Sequence, residues 1–375
     1  MIGPRLSTYL DLLRLLAAVV VLLSHLAYER FTDGAYLAIR QFNLGSDAVV
    51  VFFVLSGFVI AHTARAKDGN IGQYFFNRAT RIYSVAIPAI LLTFILDRNG
   101  AAANFQAYNG WWYNPASLGE MLLMGTSFCS EWNINGFRLG TNGPYWSLSY
   151  EVAYYVLFAI AFYLRGFRRV AWLAIAIVVA GPKILLLTPV WLMGVALYHV
   201  LNTANGKQST INIGWLFAIA PAVLYLAALT AGMPKSIMSF SHTILSPSVV
   251  QSLRFSDEFI WNAVVGLLFS VHLFGVATIV RSGVPNPRTS KSIKWLAGAS
   301  FSLYLVHYPV IQYVDAVLPE TMITELRHGI LLLVTVVVCF AFAELFERRL
   351  GAFRRFCTTS FARVGLAVGR RREPV

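Results

Sequence analysis

Residues 9–27 read YLDLLRLLAAVVVLLSHLA. A bilayer crossing needs about 20 mostly apolar residues, and this run has that length. In lipid every backbone N–H and C=O must be paired within its own segment, so such a run folds as a helix. Arg5 precedes it, as in a signal peptide. Asp11 and Arg14 lie inside the run, however, and no small-residue cleavage pattern follows it. It is therefore expected to be an uncleaved first helix.

Comparable runs recur at 46–63, 81–97, 146–164, 169–182, 184–201, 213–230, 260–280, 295–314 and 327–347. The sequence thus predicts an all-α, polytopic transmembrane helical bundle of about ten spans. Composition agrees: 57% of the 375 residues are apolar and 13% charged, with a mean hydropathy of +0.63, whereas soluble domains carry about 25% charge. A membrane domain is expected over 1–347 and a basic cytoplasmic tail over 348–375. The fifth and sixth runs are divided only by Gly181, Pro182 and Lys183, so that boundary can slide. Loop 98–145 is expected outside, with an interfacial or re-entrant piece near 118–128, and 231–259 forms a second outer loop.

An even number of spans puts both termini on one side, and basic residues decide which. One set of loops holds Arg5, Arg65, Lys67, Arg78, Arg81, Arg165, Arg168, Arg169, Lys207, Arg281, Arg288, Lys291, Lys294 and the arginines from Arg348 to Arg372. The other holds Arg30, Arg40, Arg98, Arg138, Lys183, Lys235, Arg254 and Arg327. With Arg14 set aside as intramembrane, that is 21 against 8, which predicts cytoplasmic termini. The tryptophans fall in loops or near span ends, as headgroup-level rings do. The net charge of +13 is thus topological, and nucleic-acid binding, which needs a basic face on a soluble module, is not expected. Cys129, Cys339 and Cys357 are expected outside, within a span and inside, so they form no disulfide framework. No metal site is expected.

Charge inside a span is costly and marks candidate function. Arg14 and His25 share one face of the first helix, about 16 Å apart along its axis. A buried imidazole is suited to deprotonate a hydroxyl, and a helix-capping role is the alternative. DAVVVFFVLSGF, from Asp47 to Phe58, places Ser56 and Gly57 about 14 Å deep, either as a packing contact or as room for a thin substrate chain. Arg78 and Arg81 stand one turn apart at the entrance to the third span, where their guanidiniums can grip phosphate or anchor topology. GPYWSLSYEVAYY puts Glu151 about 8 to 9 Å below the outer surface, at the expected depth of His25, so a hydrogen bond between them is expected. SFSLYLVHYPV carries Tyr304 and His307, which could hold a substrate group or satisfy one another.

Taken together, these residues resemble the acyltransferase 3 family of bacterial multi-pass membrane acyltransferases. The match rests on the Arg14 and His25 spacing, FFVLSGF, RATRI, YWSLSYE and SFSLYLVHYPV, in that order. The resemblance implies acyl transfer from cytoplasmic acyl-CoA, most simply acetyl-CoA, to a hydroxyl of a cell-surface glycan or glycolipid, in the bacterial cytoplasmic (inner) membrane. It implies His25 as catalytic base, Glu151 as its support, and Arg14, Arg78 and Arg81 as donor contacts. Ser56, Gly57, Asp47, Trp146, Ser147, Tyr150, Tyr304 and His307 are the expected substrate-pocket residues. One departure is visible: many relatives read GVDLFF before the Ser-Gly pair, where this chain reads AVVVFF, with its carboxylate at Asp47. A direct attack or a covalent acyl-enzyme through Ser56 or His25 both remain open. The alternative class is a transporter or flippase of a lipid-linked glycan or acyl group, with His25 and Glu151 as a proton relay. Neither the acceptor nor the oligomeric state can be read from the sequence.

Overall fold

The computed structural model describes residues 2–133, 136–203, 211–280 and 285–363. Lys207, Arg281 and the tail beyond 363 lie outside the described residues. The main helices are α1 (Pro4–Leu26), α2 (Leu44–Ala66), α3 (Ile71–Ala103), α4 (Leu118–Ser127), α5 (Trp146–Tyr163), α6 (Gly166–Thr203), α7 (Ile211–Thr230), α8 (Phe259–Ile279), α9 (Ser300–Val317), α10 (Thr324–Phe342) and α11 (Leu350–Arg363). No β-sheet forms among the described residues.

Seven helical stretches are long and apolar enough to cross a membrane: α1, α2, α3, α6, most of α7, and the stretches Pro247–Ile279 and Thr324–Ser360 that contain α8 and α10. α5 and α9, 18 residues each, carry Glu151 and His307. At 1.5 Å per residue α6 would measure about 57 Å, roughly twice the hydrocarbon core. Its backbone leaves helical geometry at Gly181 (φ 79°, ψ 174°), which falls within the boundary expected between the fifth and sixth runs. A Cβ on Gly181 would meet the Asn133 backbone at Cα, so the break needs glycine both for its dihedral angles and for space.

Several boundaries differ from the hydropathy reading. α3 is 33 residues long and starts where the Asn70 side chain accepts from the Gln73 N–H, so Arg78 and Arg81 lie within the helix. The run expected at 295–314 divides at Gly298 into Pro287–Ala297 and α9. Residues 231–259 hold two helices, Met233–Ile244 and Pro247–Leu253, where a loop was expected. Each has proline in its first turn, a position that needs no N–H donor. α4 is the short helix at the position expected for an interfacial or re-entrant piece, opened by a reciprocal cap between Ser117 and Glu120.

α2 crosses α6 at backbone contact, because a Cβ on Gly57 would overlap the Trp191 carbonyl and one on Gly194 the Val54 carbonyl. α9 is buried along nearly its whole length, packed among α1, α3 and α10. α10 continues through a π-helical turn, Ala343–Glu347, which aims the Glu347 carboxylate at the Phe301 and Ser302 N–H groups that open α9. Beyond it α11, the first part of the expected tail, seats on α3.

Candidate active site

α1, α2, α3, α5 and α9 enclose a cavity. Its lining starts at Arg78 and Arg81, passes Arg14, Ser56 and Glu151, and ends against Phe52, Ser147 and Tyr304. The three cations differ in commitment. Arg78 donates to Asp68 Oδ2 at 2.6 Å and to Thr63 Oγ1 at 2.5 Å. The nearest carboxylate to Arg14 is Asp11, at 3.9 Å. Arg81 stands exposed at the mouth, and its guanidinium makes no hydrogen bond or ion pair among the described residues. Arg14 and Arg81 are thus the guanidiniums open to an incoming anion.

Deeper in, Glu151 accepts from Ser56 Oγ at 3.0 Å and from the Tyr155 hydroxyl, and Trp191 Nε1 donates to Ser56 Oγ at 3.3 Å. Ser147, Glu151 and Tyr155 recur every four residues and so face the cavity together. The Tyr304 hydroxyl meets Ser147 Oγ at 2.8 Å and the Pro144 carbonyl at 3.2 Å. Phe52 packs edge-on against the Tyr304 ring, at 5.4 Å between centroids. These groups close the end of the cavity away from Arg78 and Arg81.

His25 does not line that cavity. Its ring turns into the protein toward α9, where Nδ1 lies 2.9 Å from the Val21 carbonyl and 3.1 Å from His307 Nε2. His307 Nδ1 in turn lies 2.7 Å from the Leu303 carbonyl. A carbonyl accepts only, so His307 carries its proton on Nδ1 and accepts at Nε2, and His25 donates from Nδ1. This assignment, made from the hydrogen-bond pattern, leaves His25 Nε2 with a lone pair and no protein partner among the described residues.

Around the pair, Tyr308 meets the His25 ring edge-on at 4.9 Å. Arg30 donates to the Tyr308 hydroxyl at 2.6 Å and lies over Phe31 and Trp112. Arg40 donates to the Ser24 carbonyl and stacks on Tyr28 at 3.8 Å, and Arg138 lies over Trp111. None of these three arginines has a carboxylate within ion-pair distance among the described residues. Burial pulls Arg30 and Arg138 below the usual arginine pKa. Aromatic faces beside donor-rich cations suit a sugar ring that carries polar or anionic groups. Sequence reasoning missed this cluster. The available signal was that Arg30, Arg40 and Arg138 belong to the minority of basic residues on the side expected to be outer.

Other expectations need correction. Glu151 is not hydrogen-bonded to His25: its Oε1 accepts from both Ser56 and Tyr155, while the imidazole is held by His307. Asp47 precedes Ser56 by two and a half turns, which puts it on the opposite face of α2. There it accepts from Tyr225 at 2.7 Å and from Trp261 at 2.8 Å. Trp146 stacks on Phe255, Tyr150 shares a hydrogen bond with Ser256, and Gly57 serves the α2 and α6 crossing. None of Asp47, Gly57, Trp146, Tyr150 and His307 lines the cavity, whereas Ser56, Ser147 and Tyr304 do.

The sequence matches the model of the acyltransferase 3 family, described as an acyltransferase domain, over residues 7–344. It is 27% identical over 318 residues to the acyltransferase MdmB of Streptomyces mycarofaciens, covering 80% of this chain and 78% of that one. It is 25% identical over 418 residues to the O-acetyltransferase OatA of Staphylococcus aureus, covering 98% of this chain and 62% of that longer protein. An O-acetyl transferase of Shigella phage Sf6 is 27% identical over 158 residues, 41% of this chain and 46% of the phage protein. No solved structure matches the chain. With the family match spanning all the helices that build the cavity, the chain belongs to the acyltransferase 3 family and is a multi-pass membrane acyltransferase.

Proposed function

We propose that this enzyme takes an acyl group, acetyl in the simplest case, from cytoplasmic acyl-CoA and transfers it to a hydroxyl of a cell-surface glycan or glycolipid, in a bacterial inner membrane. One observation carries the reading. A cavity with open guanidiniums at its mouth leads to Tyr304, one turn of α9 from the histidine that orients His25. The donor enters thioester first, with its phosphates left on Arg81 and Arg14. On the far side the acceptor lies against Tyr28, Tyr308 and the outer arginines. His25 Nε2 takes the hydroxyl proton as the oxygen attacks the thioester carbon. The C–S bond breaks and the proton passes to the CoA sulfur. Tyr304 and Phe52 stand between the halves, so the thioester reaches His25 only when the Tyr304 ring leaves Ser147.

The O-acetyltransferases among the relatives support acetyl as the group moved. A proton relay from His25 to Glu151, which a transporter would require, has no supporting contact. The test is release of free CoA thiol by purified protein given acetyl-CoA and an extract of envelope glycans. Thiol release that requires the glycan, and that disappears in a folded His25→Ala variant, supports the proposal. Unchanged release in that variant refutes it.

A further inference from the structure

Arg354, at the start of the second turn of α11, lies outside the 7–344 family match. Its Nε donates to Thr80 Oγ1 at 3.1 Å, and one terminal nitrogen donates to the Asn77 carbonyl at 3.2 Å. Asn77 and Thr80 belong to the same turn of α3 as Arg78 and Arg81. The fold therefore gathers three guanidiniums around one helical turn. Asp68 is the one carboxylate within ion-pair distance of any of them, among the described residues, and it is taken by Arg78. Arg354 does not itself line the cavity, and its contacts with Asn77 and Thr80 hold it beside the turn whose Arg78 and Arg81 do. Like charges held together repel. Two polar contacts satisfy part of the fork and leave the rest of a half-buried cation without a counter-charge.

We infer that Arg354 is a specificity-determining residue for the donor: together with Arg81 it receives a phosphate monoester at the nucleotide end of CoA. The inference rests on the acyl-CoA reading given above and deepens it. When the thioester enters the cavity first, the pyrophosphate follows toward Arg81 and Arg14. The ribose 3′-phosphate, the anionic group farthest from the sulfur, is left at the rim. A guanidinium fork suits a phosphate there. Repulsion between Arg81 and Arg354, which Asp68 does not neutralise, is then relieved when the donor is bound.

The test compares binding of CoA and 3′-dephospho-CoA to the full-length protein in detergent, by calorimetry. The wild type is expected to bind CoA about ten-fold more tightly, the scale of one charge-assisted hydrogen bond. Arg354→Ala is expected to remove that preference while leaving 3′-dephospho-CoA affinity unchanged, and Arg354→Lys to keep part of it. A residue that only staples α11 to α3 would weaken both ligands alike or neither, and either result overturns the inference. Equal wild-type affinities overturn it without any variant, so a misfolded Arg354→Ala protein does not shelter it. Binding of neither ligand overturns it together with the acyl-CoA reading, whereas equal binding of both overturns it alone. If Arg354→Ala instead weakens only attachment to phosphatidic-acid vesicles, the phosphate is a lipid headgroup and the donor assignment falls.

Discussion

A histidine acts as a base through a nitrogen whose lone pair is free and whose ring is held still. His25 meets both conditions because His307 fixes its other nitrogen at 3.1 Å. His25→Ala is therefore expected to lower acyl transfer by at least about 100-fold, the range for loss of a positioned general base. His307→Ala should cost less, since the base survives but loses its orientation. Thiol release by protein that elutes as the wild type measures both. Full activity in His307→Ala would reduce the pair to packing. The two α3 arginines should separate in a different way. Arg81→Ala is expected to raise the KM for the donor with little change in thermal stability, because the Arg81 side chain has no protein partner among the described residues to abandon. Arg78→Ala removes the cation paired with Asp68, a carboxylate 4% exposed that keeps only the Asn77 amide as a side-chain donor among the described residues, and should lower stability by about 1–3 kcal/mol. Equal melting shifts in the two variants would contradict this division.

At the scale of the helix, the close approach of α2 and α6 depends on Gly57 and Gly194, each set against a carbonyl of the other helix. Gly57→Val is expected to abolish folded protein in fluorescence-detected size-exclusion, while Gly119→Ala, where a Cβ meets nothing within 4 Å, should be tolerated. Normal yield of Gly57→Val would show that the crossing can open. Helices were legible in the sequence because hydropathy reports how deep a residue lies, and Gly181 marked its own break. Rotation about each axis was not legible, since it depends on which neighbour a helix meets. Glu151 was expected at the depth of His25, yet α5 turns it toward Ser56. Asp47 shares a helix with Ser56 but faces Tyr225 and Trp261. His307 was visible as a candidate, whereas its pairing with His25 joins positions far apart in the chain. The helices within 231–259 escaped notice because their polar residues hide a periodicity that their proline starts support.

For the molecule as a whole, the proposed chemistry requires that the arginine mouth and the His25 end open to opposite compartments, and the three cysteines can report this without any added label site. Cys129 follows α4 on the side expected to be outer and is partly exposed; Cys357 lies on α11, one turn beyond Arg354, and is also partly exposed; Cys339 is fully buried within α10. A membrane-impermeant maleimide applied to intact cells or spheroplasts is expected to modify Cys129, to reach Cys357 only after the membrane is opened, and to reach Cys339 only after denaturation. Cys129→Ser should remove the first signal and leave the second. The excess of basic residues on the loops shared with Cys357 drives that orientation. Arg30, Arg40 and Arg138 oppose the rule, which fits side chains held by a site rather than by topology. Labelling of Cys357 from outside would invert the protein and place the donor mouth where no cytoplasmic thioester can reach it. The acyl-CoA reading would then fail even if every contact in the cavity were correct.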